Sequence, residues 1–157
     1  MNNIISMILT TFIPFLELRF SIPYGILILK ENIGLVFLVC TISNILLGII
    51  LYPMLERIIS ILTKIAFIDR LYSSYVKKTQ KKIKKYVNKY GWLGVAIFIG
   101  IPLPGSGVYS GSIASYLIGL NYKRFIIATV LGVFMAAIIV SAVVLTGSST
   151  FSMFVKL

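Results

Sequence analysis

Two charged residues, Glu17 and Arg19, are separated by one residue in an otherwise apolar stretch that also contains Pro23 and Gly25. A carboxylate held at membrane depth is costly, and such residues usually mark a substrate or proton pathway. We therefore expect Glu17 to carry a proton, to bind a cation or to pair with Arg19. A structural ion pair near the membrane surface is the alternative interpretation.

A second interrupted stretch, residues 100–111, contains two prolines and four glycines within an apolar run. The apolar arms around it, residues 92–103 and 108–120, are twelve and thirteen residues long. Each arm is too short to cross a bilayer, which takes about 20 helical residues. The pattern predicts a helical hairpin that enters and leaves the membrane on the same side. Its break holds the candidate site residues Pro102, Pro104, Gly105, Ser106 and Gly107.

The stretch around Glu17 repeats this order of short apolar arm, Pro- and Gly-marked break and second short arm. Pro23 suits the first turn of a helix, and Ser21 could cap that helix. Ser106 could likewise cap a helix that begins near Gly107. Both helices would then direct their partly positive N-terminal ends into the membrane, where free N–H groups suit an anion.

The composition is that of an integral membrane protein. Charged residues make up 12% of the 157-residue chain, and the mean hydropathy is +1.01, whereas a soluble domain carries about 25% charged residues. The net charge of +11 is concentrated in residues 64–89, which contain nine Lys and Arg and one acid, Asp69. The positive-inside rule places residues 64–90 in the cytoplasm. Nucleic-acid binding is the rival meaning of a basic run, but we do not expect it in so apolar a chain.

Residues 33–52 and 125–146 are apolar and long enough to span a bilayer. Asn44, near the centre of the first, either hydrogen-bonds a neighbouring helix or lines a cavity. Between residues 56 and 90, apolar residues recur at three- and four-residue steps, and lysines fill the other side. This spacing predicts a basic amphipathic helix, broken once, at the membrane surface.

The order of hairpin and spanning helix thus occurs twice, and the basic block reverses the direction of the second copy. We predict an all-α integral membrane protein with two inverted repeats, each a re-entrant helical hairpin followed by a transmembrane helix, as in transporters. The chain is expected to form a single membrane domain, residues 1–157. Its parts are the first repeat (1–55), the basic amphipathic cytoplasmic linker (56–90), the second repeat (91–147) and a tail (148–157).

The sequences ELRFSIPYG at residues 17–25 and IPLPGSG at residues 101–107 resemble the small multidrug export protein family of prokaryotic membrane proteins. The resemblance covers nearly the whole chain. It implies a multi-pass protein of a prokaryotic plasma membrane that exports small molecules.

Three short sequences also resemble, more distantly, the DedA (VTT-domain) superfamily: YGW at 90–92, PG at 104–105 and KRF at 123–125. This resemblance implies two opposed re-entrant hairpins and links to proton-dependent transport and to lipid flipping or scrambling. Glu17 would correspond to the superfamily's acidic residue in the first hairpin. The chain departs from the pattern at Ile101 and Gly107, where DedA proteins usually have arginines, which argues against a simple transfer of lipid-phosphate recognition.

The sequence leaves three alternative functions open. The first is a transporter that binds its substrate or a proton between the hairpin tips, with Glu17 as the coupling or cation-binding group. The second is a DedA-like lipid flippase or scramblase, in which Arg19 and the helix N-termini receive a phosphate headgroup. The third is a non-transporting membrane scaffold that docks partners on its basic helix.

The remaining expectations concern chemistry and partners. The chain has no histidine to act as a general base and a single cysteine, Cys40, so we expect no enzymatic activity, metal or cofactor. Membrane lipids are the expected partners, with a small molecule, a lipid or a proton as substrate. Small residues repeat every four positions after the second break and make a homodimer plausible: Gly107, Gly111, Ser115 and Gly119.

Overall fold

The computed structural model describes residues 2–14, 16–62, 87–102 and 105–155, with the backbone alone at residues 62, 87, 88 and 148–155. The described residues form helices and no β-strand, which confirms the predicted all-α class. The α-helices are α1 (Asn3–Phe12), α2 (Glu17–Pro23), α3 (Ile33–Leu62), α4 (Trp92–Gly100), α5 (Val108–Leu117) and α6 (Tyr122–Val155). The π-helical segments Tyr24–Ile28 and Val87–Gly91 follow α2 and precede α4.

Helices α3 and α6 contain segments long and apolar enough to cross a membrane, Ile33–Ile61 and Tyr122–Gly147, with mean hydropathies of 2.5 and 2.7. These segments include both predicted spans. Most of the predicted basic amphipathic helix lies outside the described residues. Its first residues, from position 56 to position 62, continue α3 instead of starting a new element.

Helix α3 continues through Pro53, directly beyond the end of the predicted span at residue 52. Proline has no N–H, so the carbonyl of Ile49, four residues earlier, loses its helical donor. The hydroxyl of Tyr122, at the start of α6, donates to that carbonyl at 3.0 Å. A donor from the second half of the chain therefore compensates for the helix-breaking residue in the first half.

The first short helix pair, α1 and α2, and the second, α4 and α5, are each interrupted by a break, and the described residues of the two breaks share three features. Ile13 and Ile101 both end a helix in extended conformation, with ψ of 125° and 118°. Each precedes a proline, which disfavours helical geometry in the residue before it. Four residues after each isoleucine, the chain turns through a positive φ, 48° at Glu17 and 80° at Gly105.

Helix α2 begins at Glu17, earlier than predicted. Pro23 is its last residue, and the π-helical segment Tyr24–Ile28 follows directly. The prediction that Pro23 lies in a first turn capped by Ser21 is therefore wrong. Ser21 is buried within α2, where its hydroxyl accepts a hydrogen bond from Thr11 Oγ1 at 2.7 Å. Leu18 and Ser21, three residues apart, are both buried and so share the inward face of a helix. Burying that face requires the helix to start before Leu18, and not at Pro23.

Each short helix pair packs tightly against the long helix that follows it. A Cβ at Gly132 of α6 would lie 2.6 Å from the carbonyl oxygen of Ala96 in α4, so the two backbones are in direct contact. In the first half, Gly25 lies between Met7 of α1 and Val36 of α3. This packing fixes where the two breaks lie.

Candidate functional site

The two breaks meet at the carboxylate of Glu17. Its side chain is buried, with 4% of its surface exposed. Oε2 accepts a hydrogen bond from the backbone N–H of Val108 at 3.0 Å, and Oε1 accepts one from Tyr109 at 3.2 Å. These are the first two residues of α5. A carboxylate from the first half therefore caps a helix of the second half, a contact we call the Glu17 cap.

The cap satisfies two needs at once. The first N–H groups of a helix have no partner within it, and the N-terminus carries a partial positive charge that favours an anion. The buried carboxylate needs hydrogen-bond donors for the same reason. Glu17 has a φ of 48°, uncommon for a residue other than glycine. The Glu17 cap is therefore made from a backbone conformation that residues with a side chain disfavour.

Gly107 makes room for the cap. It precedes α5 with a φ of 146°, a conformation that side chains disfavour. A Cβ at this position would lie 2.6 Å from Oε2 and 2.8 Å from Oε1 of Glu17. Both the backbone conformation and the approach of the carboxylate therefore require glycine here.

Arg19 joins the breaks a second time. Its guanidinium donates to the hydroxyl of Ser106 at 2.9 Å and to the carbonyl oxygen of Ile101 at 3.3 Å. The Ser106 hydroxyl donates in turn to the Ile101 carbonyl at 2.6 Å. Ser106 thus ties Arg19 to the second break and does not cap α5 as predicted. The helix does start near Gly107, as expected.

A cavity of about 200 Å³ adjoins the Glu17 cap. Both breaks and the first turns of α5 line it: Pro14, Glu17, Gly105, Ser106, Tyr109, Ser110 and Ile113. The hydroxyl of Tyr109 donates to the carbonyl oxygen of Phe12 at 2.6 Å and so holds α5 against the end of α1. Ligand pockets for drug-sized molecules measure about 300–1,000 Å³. The cavity therefore fits an ion, water or a small part of a larger molecule.

The predicted site residues fall into two groups. Glu17, Arg19 and the residues of the second break from 105 to 107 come together. Pro23 lies at the far end of α2, and Asn44 is buried within α3; neither is among the described residues that line the cavity. Pro102 is in the second break, and Pro104 lies outside the described residues.

Sequence reasoning missed the parts of the site that α5 supplies. The donors at Val108 and Tyr109 are backbone groups, which no residue type reveals. The available signal was their place directly after a glycine-rich break, at the start of an apolar arm. Tyr109 and Ser110 could have been found by asking which side chains the first turns of that arm present.

The described fold is an all-helical one with two candidate membrane spans and a charged contact between two interrupted helix pairs. A model of the family described as "Putative small multi-drug export protein" matches residues 17–139. The chain therefore belongs to this family, as predicted, and the match supports a membrane location. No curated protein and no solved structure matches the chain. The DedA resemblance stays a prediction.

Proposed function

We propose that this protein is a small integral membrane transporter that exports a small molecule and couples export to protons at Glu17. The observation that carries the proposal is the Glu17 cap, in which a buried carboxylate joins the two breaks through Val108 and Tyr109. The family description agrees with export. We propose no covalent reaction in the cycle.

Protonation of Glu17 would open the cap. An ionised carboxylate accepts strong hydrogen bonds from backbone N–H groups and is stabilised by the helix dipole. A protonated carboxyl group loses its charge, and one of its oxygens becomes a donor, so its bonds to both N–H groups weaken. The two breaks could then separate. Separation is needed for a drug-sized substrate, because the cavity of about 200 Å³ is too small for one.

The finer architecture is part of the proposal. Two opposed re-entrant hairpins, related by inversion, would bring the breaks together near the middle of the membrane. The extended conformation that Ile13 and Ile101 share before a proline supports this arrangement. By the positive-inside rule, the basic residues 64–90 would face the cytoplasm of a prokaryotic cell whose plasma membrane holds the protein.

The test uses the full chain in proteoliposomes that enclose DNA, with ethidium as the drug probe and an imposed pH gradient. Ethidium entry is followed by its fluorescence on the enclosed DNA. We expect the gradient to accelerate ethidium movement in the wild type. Glu17→Gln, which mimics the protonated carboxyl group, should abolish this dependence. Glu56→Gln is the matched control, because Glu56 is exposed.

Two outcomes would refute the proposal. Ethidium movement by Glu17→Gln with the dependence on pH of the wild type would remove the coupling role of the carboxylate. The absence of ethidium movement by the wild type would remove drug export itself.

Lipid translocation is the second candidate, and Arg19 favours it. Its guanidinium and the Ser106 hydroxyl lie 2.9 Å apart at the break, and both groups can bind phosphate. The same vesicles, made with a fluorescent phosphatidylglycerol, test this candidate by quenching of the outer leaflet. Lipid movement that Arg19→Ala abolishes, without ethidium movement, would favour lipid translocation. Movement of neither probe would favour the scaffold.

A further inference from the structure

Four buried side-chain oxygens on α3, α5 and α6 have no hydrogen-bond partner among the described residues. They are Thr41 Oγ1, Asn44 Oδ1, Ser115 Oγ and Thr129 Oγ1, and none of these residues is more than 6% exposed. We call them the oxygen row. Ser141 Oγ is also unpartnered, but it lies about three turns further along α6. Buried polar groups almost always have a partner in the protein or an ordered water, so this group calls for a physical cause.

Two members of the oxygen row, Asn44 and Thr129, lie close to one point of helix contact. Asn44 and Gly48 are four residues apart and so share one face of α3. A Cβ at Gly48 would lie 3.6 Å from Thr129 Oγ1 of α6 and 3.0 Å from a methyl group of Val108 in α5. Asn44 therefore lies one helical turn from the place where all three helices touch.

Val108 connects the oxygen row to the Glu17 cap. Its N–H donates to the Glu17 carboxylate at 3.0 Å, and its side chain meets α3 at Gly48. The carboxylate and the row thus lie on two sides of one residue. Ser115 is seven residues further along the same face of α5, toward the end where Tyr52 donates to the carbonyl of Leu120.

We propose that the oxygen row holds water molecules that carry protons between Glu17 and the cytoplasmic side. This inference rests on the proposed proton coupling and names the path that supplies Glu17. Hydroxyls both donate and accept, and the amide oxygen accepts twice, so the row can partner water on several sides. The turn between Asn44 and Gly48 rises about 5.4 Å, which one bridging water spans with two hydrogen bonds of about 2.8 Å. The roughly two turns between Val108 and Ser115 need more than one water. A buried water needs two to four such partners.

The proton balance of the path is simple. A proton enters the water chain at the end near Lys123 and Arg124, which the positive-inside rule assigns to the cytoplasm. Each water binds the incoming proton and releases one to the next water. At the other end, an O–H bond forms on Glu17 as one breaks on the last water. No oxidant, reductant or other reactant is needed.

A cysteine placed in the row reports water at this place. The native Cys40 lies one turn before Asn44 on α3, but its thiol interacts with the hydroxyls of Thr11 and Ser21, outside the row. The probe is therefore Thr129→Cys in a chain that also carries Cys40→Ala. Thiols react as thiolates, which form only where water or another polar group stabilises the charge. The rate at which the introduced thiol reacts with a small water-soluble reagent therefore reports hydration of the row and does not depend on transport.

The experiment modifies the full chain in proteoliposomes with aminoethyl methanethiosulfonate and follows the mass of the protein over time. We expect the thiol introduced by Thr129→Cys to react. Asn44→Leu in the same chain should slow the reaction by roughly tenfold, because it removes a partner of the water that supports the thiolate. Thr146→Cys with Cys40→Ala is the matched control, because it places a thiol at an exposed position of α6. Asn44→Leu should leave the rate of that thiol unchanged.

The outcomes separate the inference from the proposed function. An unreactive thiol in Thr129→Cys, or equal rates with and without Asn44→Leu, would overturn hydration of the row. Thr41→Val nearly preserves side-chain shape, so it decides the question if Asn44→Leu lowers the melting temperature.

Proton entry, followed with a pH dye inside the vesicles, tests the carrying role. We expect Glu17→Gln and the row variants Asn44→Leu and Thr129→Val to slow it alike. Loss in Glu17→Gln with wild-type entry in the row variants would leave the proposed function intact and overturn the path. Absence of proton entry in the wild type would overturn the coupling, and with it the carrying role, while the thiol introduced by Thr129→Cys would still report hydration.

Discussion

The two breaks share an extended residue before a proline and a positive φ four residues later, but they contribute opposite chemistry. In the first, the residue at positive φ is Glu17, which brings a buried carboxylate. In the second, the corresponding residue is Gly105, and the capping position of α5 is held by Gly107, which has no side chain to offer. Among the described residues of the second break no side chain caps the N–H groups of α5, and the first break supplies the acceptor. The difference shows that the breaks act as complementary halves of one site.

The first half of the chain depends on the second half as well. Pro53 deprives the carbonyl of Ile49 of its helical donor, and Tyr122 from the second half donates to that carbonyl. Each half of the chain therefore completes the backbone hydrogen bonding of the other. A buried backbone group without a partner is costly, so we expect neither half to be stable alone.

The largest effect is expected from Gly107→Ala, which disrupts the Glu17 cap by a change in the second break. The new methyl group would be strained by the φ of 146° and would collide with the carboxylate of Glu17. We expect a loss of about 3 kcal/mol in the free energy of unfolding, measured in detergent. Gly94→Ala is the control, because a Cβ there meets no atom within 4 Å. Wild-type stability of Gly107→Ala would contradict the cap geometry.

Glu17→Ala disrupts the same contact by a change in the first break. It leaves the N–H groups of Val108 and Tyr109 without their acceptor, and we expect a loss of about 2 kcal/mol. Glu17→Gln keeps one acceptor oxygen and should lose about half as much. Thermal unfolding of both variants beside Glu56→Ala measures the difference. Equal stability of all three would mean that the cap contributes nothing to folding.

Gly105→Ala separates backbone strain from collision. Gly105 has a φ of 80°, but a Cβ there would meet no atom within 4 Å. We expect a loss of only about 1 kcal/mol. The difference from Gly107→Ala then measures the contact with Glu17. A loss as large as that of Gly107→Ala would show that strain alone explains both positions.

The smallest effect is expected at the contact through which the second half completes the first, between Tyr122 and Ile49. Tyr122→Phe removes the donor to the carbonyl of Ile49 and should cost about 1 kcal/mol. In a chain that also carries Pro53→Ala, the backbone N–H at position 53 can bond to that carbonyl, so Tyr122→Phe should cost less. A double-mutant cycle in thermal unfolding measures this coupling. Purely additive effects would contradict the compensating role of Tyr122.

The sequence allowed the main features of the site to be predicted. The cost of a carboxylate in an apolar chain singled out Glu17, and the repeated pattern of breaks indicated that it would meet residues 105–107. The local capping predictions failed for a physical reason. Ser21 and Ser106 are good caps by residue type, but Ser21 is buried within a helix that starts earlier, and Ser106 is engaged by Arg19.

By itself, the sequence determined the helical class, the two long apolar helices, the positions of the breaks and the residues that bring charge. Hydrophobic periodicity, length and proline or glycine content act locally and can be read along the chain. Only the tertiary structure decided which group caps α5 and which donor satisfies Ile49. Those partners are 91 and 73 residues apart in the sequence. Their pairing depends on helix packing that brings backbone groups together, and backbone groups carry no residue-specific signal.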